Sequence, residues 1–370
     1  VKMKCRTTTL FCIFLAESIA SCAAFGWKVR VWRNHGSRPK VNRDGRHNGW
    51  KCMASVHGDQ RVLNTENLLD HCKMLNSYKT TDFIPFSIES EQLGWLRKEF
   101  ATRLHSLQLE TKQKVFTFEW PQCSEDGSSF MPGNVGLHEN LLSDHPQLHD
   151  RSAAVNDMVK VLFERGEMRG WRGELQQVSS AFNKPPALLL ERGCVPYFGV
   201  AAYGVHVNVL VREERGTSVW IAKRALTKAT YPGKLDQCVA GGQPQGLSLT
   251  ENVVKECEEE AGIPQQVAAT ARPVGAVSYM YATNKGLSPK TLFCYDLEVP
   301  RDFVPRALDG EVDSFQKMPI EEAMRSVADQ VDMWKPNSAL VMIDLAIRHG
   351  ILNGDEPNYL EILSLLRRKG

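Results

Sequence analysis

A cluster of glutamates in the C-terminal half of the chain has the clearest chemical potential of any feature in this sequence. Glu256, Glu259 and Glu260 are spaced i, i+3 and i+4, which on a helix places the three carboxylates on one face within a turn. Like charges this close repel one another, and a hard divalent cation with oxygen ligands relieves the repulsion. Mg²⁺ suits such a site when phosphate oxygens of a substrate complete its coordination. The spacing therefore indicates metal-assisted chemistry on a phosphate compound.

The flanking residues distinguish this cluster from a solvated acidic surface, which is what a charge run alone usually is. Gly241 and Gly242 precede it in a glycine-rich loop, where the backbone can approach closely and carbonyl oxygens are free to act as ligands. Ser248 and Glu251 form the pattern of a capping box, which predicts the start of the helix. Gly262 predicts its end.

With these residues in place, the sequence resembles the box of the Nudix hydrolase family. That box runs glycine, five residues, glutamate, seven residues, Arg-Glu, an aliphatic residue, any residue, Glu-Glu, any residue, glycine and an aliphatic residue. Leu247 departs from it where the first glutamate is expected, and Lys255 replaces the arginine. The residues in register are Gly241, Glu256-Cys257, Glu259-Glu260 and Gly262-Ile263.

The resemblance implies that Glu256, Glu259 and Glu260 are the catalytic and metal-binding residues, holding one to three Mg²⁺ or Mn²⁺ ions. It further implies that the carbonyl of Gly241 is a ligand and that an acid from outside the box completes the site. Glu311 is our candidate for that acid, with an ordinary loop carboxylate as an equal alternative. Which carboxylate deprotonates water stays open.

Four further residues receive predicted supporting roles. Lys234, in Pro-Gly-Lys before the loop, and Gly242 are predicted to contact the substrate. In the family, the first glutamate and the arginine of the box brace the loop against the helix. Glu251 lies four residues before Lys255, so this pair is a candidate structural brace in their place. The equal alternative is that Glu251 only caps the helix.

Segments outside the box look like one Nudix subfamily, which includes plant plastid enzymes and the Nudix half of fungal thiamine pyrophosphokinase. That subfamily carries an extra N-terminal domain of unknown function. It is associated with removing phosphate from oxidised or damaged thiamine diphosphate analogues. The resemblance covers roughly residues 60–365, through Leu190-Glu-Arg192, Phe198-Gly-Val, Tyr203-Gly-Val-His-Val-Asn208, Tyr231-Pro-Gly-Lys234, Tyr295-Asp-Leu and Trp334-Lys-Pro-Asn337.

The leading hypothesis is therefore a metal-dependent diphosphatase that converts a small-molecule diphosphate to a monophosphate plus phosphate. Hydrolysis of a nucleoside-diphosphate derivative is the first alternative. An isopentenyl diphosphate isomerase would share the fold and use a cysteine near the loop, where Cys238 stands, but its histidine-containing loop motif is absent. A non-catalytic Nudix binding module is the third alternative, because Leu247 and Lys255 depart from the box.

These residues require an α/β framework to position them. We expect an α/β/α Nudix sandwich over residues 186–370, preceded by a small α+β domain of unknown function over 60–185. Over residues 186–370, short strands alternate with two or three helices. Over residues 60–185, helical stripes such as Leu93, Leu96, Phe100 and Leu104 predict core packing.

Composition limits the partners and predicts a location. A hydrophobic content of 42% is ordinary for a soluble globular protein, and a net charge of +2 gives no reason to expect nucleic acid. Residues 1–59 read as a bipartite leader, because basic residues precede an apolar run of signal-peptide type and a basic, acid-poor stretch follows it. We therefore expect a plastid (chloroplast) stroma protein with no membrane contact in its mature form. Secretion is the alternative, and the oligomeric state stays open.

Overall fold

A computed structural model describes residues 63–124, 130–142, 148–244 and 246–368. The predicted leader lies outside these residues. The strands of the C-terminal region are β9 (Ala202–Glu213), β10 (Gly216–Arg224), β11 (Leu235–Gln237), β12 (Val239–Gly242), β13 (Arg272–Ala282), β14 (Leu287–Val299) and β15 (Val312–Pro319). Its helices are α5 (Leu249–Ala261), α6 (Gln265–Ala268), α7 (Ile320–Asp329), α8 (Pro336–Arg348) and α9 (Tyr359–Leu365).

The seven strands form one mixed sheet in the order β11-β10-β9-β14-β13. Strand β12 pairs antiparallel with the first half of β9, and β15 pairs antiparallel with β10. Strands β9 and β14 run parallel, with Ala202 opposite Lys290 and Cys294 opposite His206. This pairing puts the glycine loop that follows β12 beside the start of β9.

Alternation along β9 separates the two helical layers. Val205 and Val207 are fully buried against the inner face of α5, whereas Leu210 points to the opposite face and joins the core formed with α7 and α8. The sheet therefore lies between α5 on one side and α7 with α8 on the other. The predicted α/β/α sandwich is confirmed.

The N-terminal region has a smaller core of its own. The elements of this region are α1 (Thr65–Met74), β1 (Phe83–Ile88), β2 (Glu91–Arg97), α2 (Lys98–Thr111), β3 (Phe116–Glu119), β4 (Gln122–Cys123), β5 (Phe130–Met131), β6 (Asn134–Leu137), α3 (Leu148–Glu164), β7 (Leu175–Val178), β8 (Leu188–Glu191) and α4 (Val195–Phe198). A four-stranded sheet in the order β2-β1-β6-β3 packs with α2, α3 and α4.

The two cores exchange elements at both ends of the N-terminal region. Leu68 and Cys72 of α1 pack in the core of α7, α8 and α9, so the first helix joins the C-terminal layer. Leu188 and Val200 pack in the N-terminal core, although they follow the predicted boundary between 185 and 186. That boundary stays a prediction, and the packing places the change of core near residue 200. Within the described residues, no helix is both long and apolar enough to cross a membrane.

Candidate metal and phosphate site

Helix α5 is fixed at both ends by the residues that the sequence indicated. Ser248 donates its backbone N–H to the Glu251 carboxylate at 2.8 Å, and its hydroxyl accepts the Glu251 N–H at 3.2 Å. Gly262 ends the helix in the left-handed conformation, with φ of 62°. Val253 and Cys257 are buried against the sheet. This inner stripe anchors the helix and sets the depth of its carboxylates.

The three box glutamates share one side of α5 at three depths. Glu259 is half exposed, the Glu256 side chain is 15% exposed, and Glu260 is 8% exposed. The deepest carboxylate, Glu260, accepts the backbone N–H of Ala240 at 3.0 Å. Helix α5 is thereby tied to β12, the strand that leads into the glycine loop.

Gly241 lies directly against the carboxylate of Glu256. A Cβ atom added at Gly241 would stand 2.2 Å from Cδ of Glu256 and 2.5 Å from its Oε1. At Gly242 an added Cβ would meet nothing within 4 Å. Glycine at 241 permits this close approach of backbone and carboxylate, and its role as a carbonyl ligand stays a prediction.

A loop distant in sequence supplies two more acids. One carboxylate oxygen from each of Glu260, Asp309 and Glu311 lies within 4.8 Å of the others. Asp309 accepts the backbone N–H of Glu311 at 2.8 Å, which shapes the turn that presents both carboxylates. Lys228 forms an ion pair with Glu311. The structure brings Glu311 to Glu260 and adds Asp309, which the sequence reasoning missed.

Burial raises the pKa of two box carboxylates, Glu256 and Glu260, above the ordinary value of a carboxyl group. Burial raises the pKa of Glu260 to about 8, and the charges of Asp236 and Glu256 add to this effect against the Ala240 hydrogen bond. Burial also raises the pKa of Glu256, where Lys255 opposes the shift while Glu259 and Glu311 reinforce it. Such a group of carboxylates favours a bound cation, which would stabilise their ionised forms.

The donor set fits a hard divalent cation. Glu260, Asp309 and Glu311 lie together and offer only oxygen, and Glu256 adds a carboxylate beside the backbone of Gly241. Oxygen-only ligation is typical of Mg²⁺ and Mn²⁺. Glu259 lies outside the three-acid group in this structure, because its carboxylate is turned toward Lys255.

The predicted brace, in which Glu251 would pair with Lys255, is wrong. Lys255 donates to Glu259 at 2.5 Å and to Glu256 at 3.3 Å, and Glu251 is held by Ser248. Glu251 instead caps the helix, as the alternative held. The reason is geometric: a side chain bonded to the N-terminal backbone of its own helix cannot also reach forward one turn.

The two predicted substrate contacts have different surroundings. The Gly242 carbonyl accepts the side-chain amide of Asn252 at 3.0 Å, which fixes the loop beside the carboxylates. Lys234 forms a hydrogen bond to the Asp332 carbonyl, and it lines a separate cavity with Lys223 and Met333. A role for Lys234 in substrate binding stays a prediction, and this geometry gives it no contact with the acids.

A cluster of polar and aromatic side chains lies where α8 begins. The Asn337 amide lies 3.4 Å from Nε2 of His206, and its side chain also bonds the hydroxyl of Tyr279. Tyr279 and Tyr281 stack with ring centroids 6.0 Å apart. Asn337 belongs to the segment Trp334-Lys-Pro-Asn337, which marks the subfamily in the sequence.

His206 and Cys238 belong to the interior rather than to the reacting surface. Nδ1 of His206 lies 2.6 Å from Oε1 of Gln237, and burial lowers the pKa of His206 to about 4. Cys238 is fully buried, and burial raises its pKa well above the ordinary value. A thiol in that state is a poor proton donor or nucleophile, so the isomerase alternative loses its key residue.

Sequence comparison identifies the family to which this fold and site belong. The NUDIX domain profile matches residues 202–339, and a domain of unknown function, DUF4743, matches residues 64–202. The chain is 42% identical over 295 residues to "Nudix hydrolase 20, chloroplastic" of Arabidopsis thaliana, covering 79% of this chain and 75% of that protein. It is also 42% identical over 289 residues to "Nudix hydrolase 24, chloroplastic" of the same plant, covering 78% and 74%.

The fold and the acidic box define a hydrolase of the Nudix class. The chain belongs to the Nudix hydrolase family, and its residues 64–202 carry the DUF4743 domain.

Proposed function

We propose that this chain is a Mg²⁺- or Mn²⁺-dependent diphosphatase that converts a small organic diphosphate to a monophosphate and inorganic phosphate. The observation that carries the proposal is the group formed by Glu256 against Gly241 and by Glu260 with Asp309 and Glu311. Five carboxylates, with Glu259 included, are available to hold one to three ions. Bound ions would neutralise the diphosphate and lower the pKa of the attacking water.

Positioning and charge neutralisation are the main demands of phosphoryl transfer. In the proposed reaction the water oxygen bonds to one phosphorus, and that phosphorus loses its bond to the bridging oxygen. The proton lost by the water passes to a carboxylate of the group. Glu260 is held in place by the backbone N–H of Ala240.

For the organic part of the substrate, we propose an oxidised or damaged thiamine diphosphate analogue. Tyr281 is partly exposed and stacks on the buried Tyr279, so it offers a ring for a flat heterocycle. Lys290, the cross-strand neighbour of Tyr279, is a cation on the same side of the sheet as these rings, whereas Lys335 is paired with Asp236. A cation beside the rings disfavours the positively charged thiazolium of intact thiamine diphosphate and tolerates a neutral oxidised ring.

Trp334, an aromatic residue of the segment that marks the subfamily, is not accessible to a ligand. It is 1% exposed, and its indole N–H donates to the Ser326 hydroxyl at 3.0 Å, so it belongs to the core.

A substrate panel tests the proposal. The protein from residue 61 onward, with Mn²⁺ or Mg²⁺, is assayed for phosphate release from thiamine diphosphate, its neutral oxidised analogue and a set of nucleoside diphosphates. We expect the oxidised analogue to give the highest kcat/KM. A nucleotide as best substrate would support the first alternative.

Variants of the box test the role of the carboxylates. Glu259→Gln and Glu260→Gln should each lower kcat by at least about 100-fold, because each removes a ligand charge. Glu258→Gln is the matched control, since Glu258 is an exposed acid of the same helix outside the box positions. If the first two variants hydrolyse the best substrate as fast as the control, the assignment of Glu259 and Glu260 to the metal site is wrong.

We further propose a plastid location and a two-domain organisation, with residues 60–185 as a separate N-terminal domain. The names of the two Arabidopsis relatives, both chloroplastic, support the location. Import of a leader-bearing fusion into isolated chloroplasts tests it, and secretion of the same fusion would contradict it.

A further inference from the structure

Lys228 is a cation that lies against the three-acid group of Glu260, Asp309 and Glu311. It belongs to the connection between β10 and β11, residues 225–234, and its ammonium group pairs with the carboxylate of Glu311. The oxygen atoms that the three acids present lie within 4.8 Å of one another. The ion pair therefore places Lys228 inside the candidate site, because its partner is itself a proposed metal ligand.

The main chain around this ion pair is fixed by hydrogen bonds. Ala225 donates its backbone N–H to the Glu311 carbonyl at 2.9 Å, and the Lys228 N–H closes a turn onto the Ala225 carbonyl at 3.2 Å. The guanidinium of Arg224, a residue that is 9% exposed, donates to two further carbonyls of the connection at 3.0 and 3.2 Å. The connection that carries Lys228 is thus tied to the backbone of its carboxylate partner.

Burial distinguishes Lys228 from Lys255, which contacts Glu256 and Glu259 from within α5. The side chain of Lys255 is 42% exposed, whereas that of Lys228 is 22% exposed, although a lysine in a turn can readily extend its ammonium group into water. An ammonium group has three N–H donors. Across residues 63–124, 130–142, 148–244 and 246–368, Glu311 is the one side chain paired with Lys228. Lys228 therefore keeps donors for an anion.

A phosphate oxygen held at the acids would lie within reach of Lys228. Mg²⁺ binds carboxylate oxygens at about 2.1 Å, so an ion on Glu311 would stand about 6 Å from the ammonium group. A phosphate oxygen on the same ion would lie about 2.1 Å from it and could accept a hydrogen bond from Lys228. The same closeness makes the lysine and the ion compete for Glu311, because both are cations.

We propose that Lys228 is a phosphate-binding residue of the metal site. This inference rests on the proposed diphosphatase function and adds to it a residue outside the Nudix box. In the metal-free protein Lys228 neutralises Glu311. In the loaded protein its ammonium group would donate to an oxygen of the attacked phosphoryl group and stabilise the negative charge there. Lys234, which the sequence pattern favoured for this contact, lines a separate cavity.

Two calorimetric titrations test this role without turnover. In the first, metal-free protein is titrated with Mn²⁺ at low ionic strength, and in the second, Mn²⁺-saturated protein is titrated with inorganic phosphate. The parent is compared with Lys228→Met, Lys228→Arg and Lys223→Met. Lys223 pairs at 3.8 Å with Asp313, an acid outside the three-acid group, so its variant is a matched control that removes a lysine–carboxylate pair away from the site.

The two affinities of Lys228→Met should change in opposite directions. We expect it to bind Mn²⁺ about threefold to tenfold more tightly, because repulsion at about 6 Å amounts to about tenfold even at the dielectric constant of water. It should bind phosphate about 10- to 100-fold more weakly, the usual loss for a charge-assisted hydrogen bond. Lys228→Arg should keep most of the phosphate affinity, and Lys223→Met should match the parent in both titrations.

Either titration can overturn the proposal. Phosphate affinity in Lys228→Met that equals that of Lys223→Met removes the evidence for a phosphate contact. Mn²⁺ affinity in Lys228→Met that is equal to or weaker than that of Lys223→Met also overturns it, since Lys228 would then only hold Glu311 in position.

The role of Lys228 and the proposed function fail separately. If Glu260→Gln abolishes hydrolysis while Lys228→Met matches Lys223→Met in both titrations, only the role of Lys228 is wrong. If both titrations change as expected but Glu259→Gln and Glu260→Gln leave hydrolysis unchanged, only the diphosphatase assignment is wrong.

Discussion

Replacement of Gly241 by alanine tests the contact on which the metal site depends. The new Cβ would stand 2.2 Å from Cδ of Glu256, where ordinary contact begins at 3.4 Å. The carboxylate must therefore move by about 1 Å or rotate away from the backbone. A displacement of about 1 Å in a reacting group typically costs about 100-fold in rate, which corresponds to about 2.7 kcal/mol.

The same change should leave the fold almost intact. The clash falls on the end of a flexible side chain, and Gly241 does not occupy the left-handed region that favours glycine. We expect the free energy of unfolding to change by less than about 1 kcal/mol, since a loss of chain entropy in the unfolded state offsets local strain. Gly241→Ala thus separates the position of one carboxylate from global stability.

Mn²⁺ affinity, measured by calorimetry, is the primary readout. Gly242→Ala is the matched control for that readout, because its Cβ would enter open space and Gly242 is a predicted substrate contact rather than a metal ligand. We expect Gly241→Ala to weaken Mn²⁺ binding by at least about tenfold and to lower kcat/KM by about 100-fold. Equal Mn²⁺ affinity in the two variants would refute the assignment of Glu256 and Gly241 to one metal site.

Three further changes have expected outcomes. Between pH 5 and 8 the unfolding free energy of the metal-free parent, measured relative to Glu260→Gln in urea titrations, should fall by about 1 kcal/mol per pH unit, because folded Glu260, with a pKa of about 8, keeps a proton that the unfolded chain releases near 4.5; a difference that does not change with pH would contradict the raised pKa. Cys238→Ser should retain hydrolysis within about threefold in the phosphate-release assay, and complete loss would revive the isomerase alternative. Ser248→Ala should lower the unfolding free energy by about 1 kcal/mol, because it removes the cap that Glu251 shares; an unchanged urea midpoint would show that the capping box is dispensable.

Local chemistry made the box helix predictable. Capping and termination depend on residues within one turn of each helix end, so Ser248, Glu251 and Gly262 could be assigned from their order alone. The i, i+3, i+4 spacing likewise gave the shared face of Glu256, Glu259 and Glu260. The failed brace shows the limit of this reasoning. Two partners were available to Glu251 at local spacing, and sequence order could not decide between them.

Asp309 shows how distant residues enter the site. The chain after β14 returns to the end of α5, where the Arg306 N–H donates to the Ala261 carbonyl at 2.9 Å. That contact brings the turn of Asp309 and Glu311 to Glu260. A carboxylate in a surface turn has no periodicity that distinguishes it from a solvated one, and only the returning chain makes it a candidate ligand.

The sequence by itself determined the limits of α5 and the shared side of its three carboxylates, because both depend on spacing along a single element. The α/β/α class followed from the alternation of strands and helices and from the resemblance to the Nudix family. The tertiary structure decided how deeply each carboxylate is buried, and it brought Asp309 and Glu311 to Glu260. It also paired Lys228 with Glu311 and placed α1 in the core of the C-terminal helices. These features depend on solvent exclusion and on contacts between residues far apart in the chain, which the local order of amino acids does not specify.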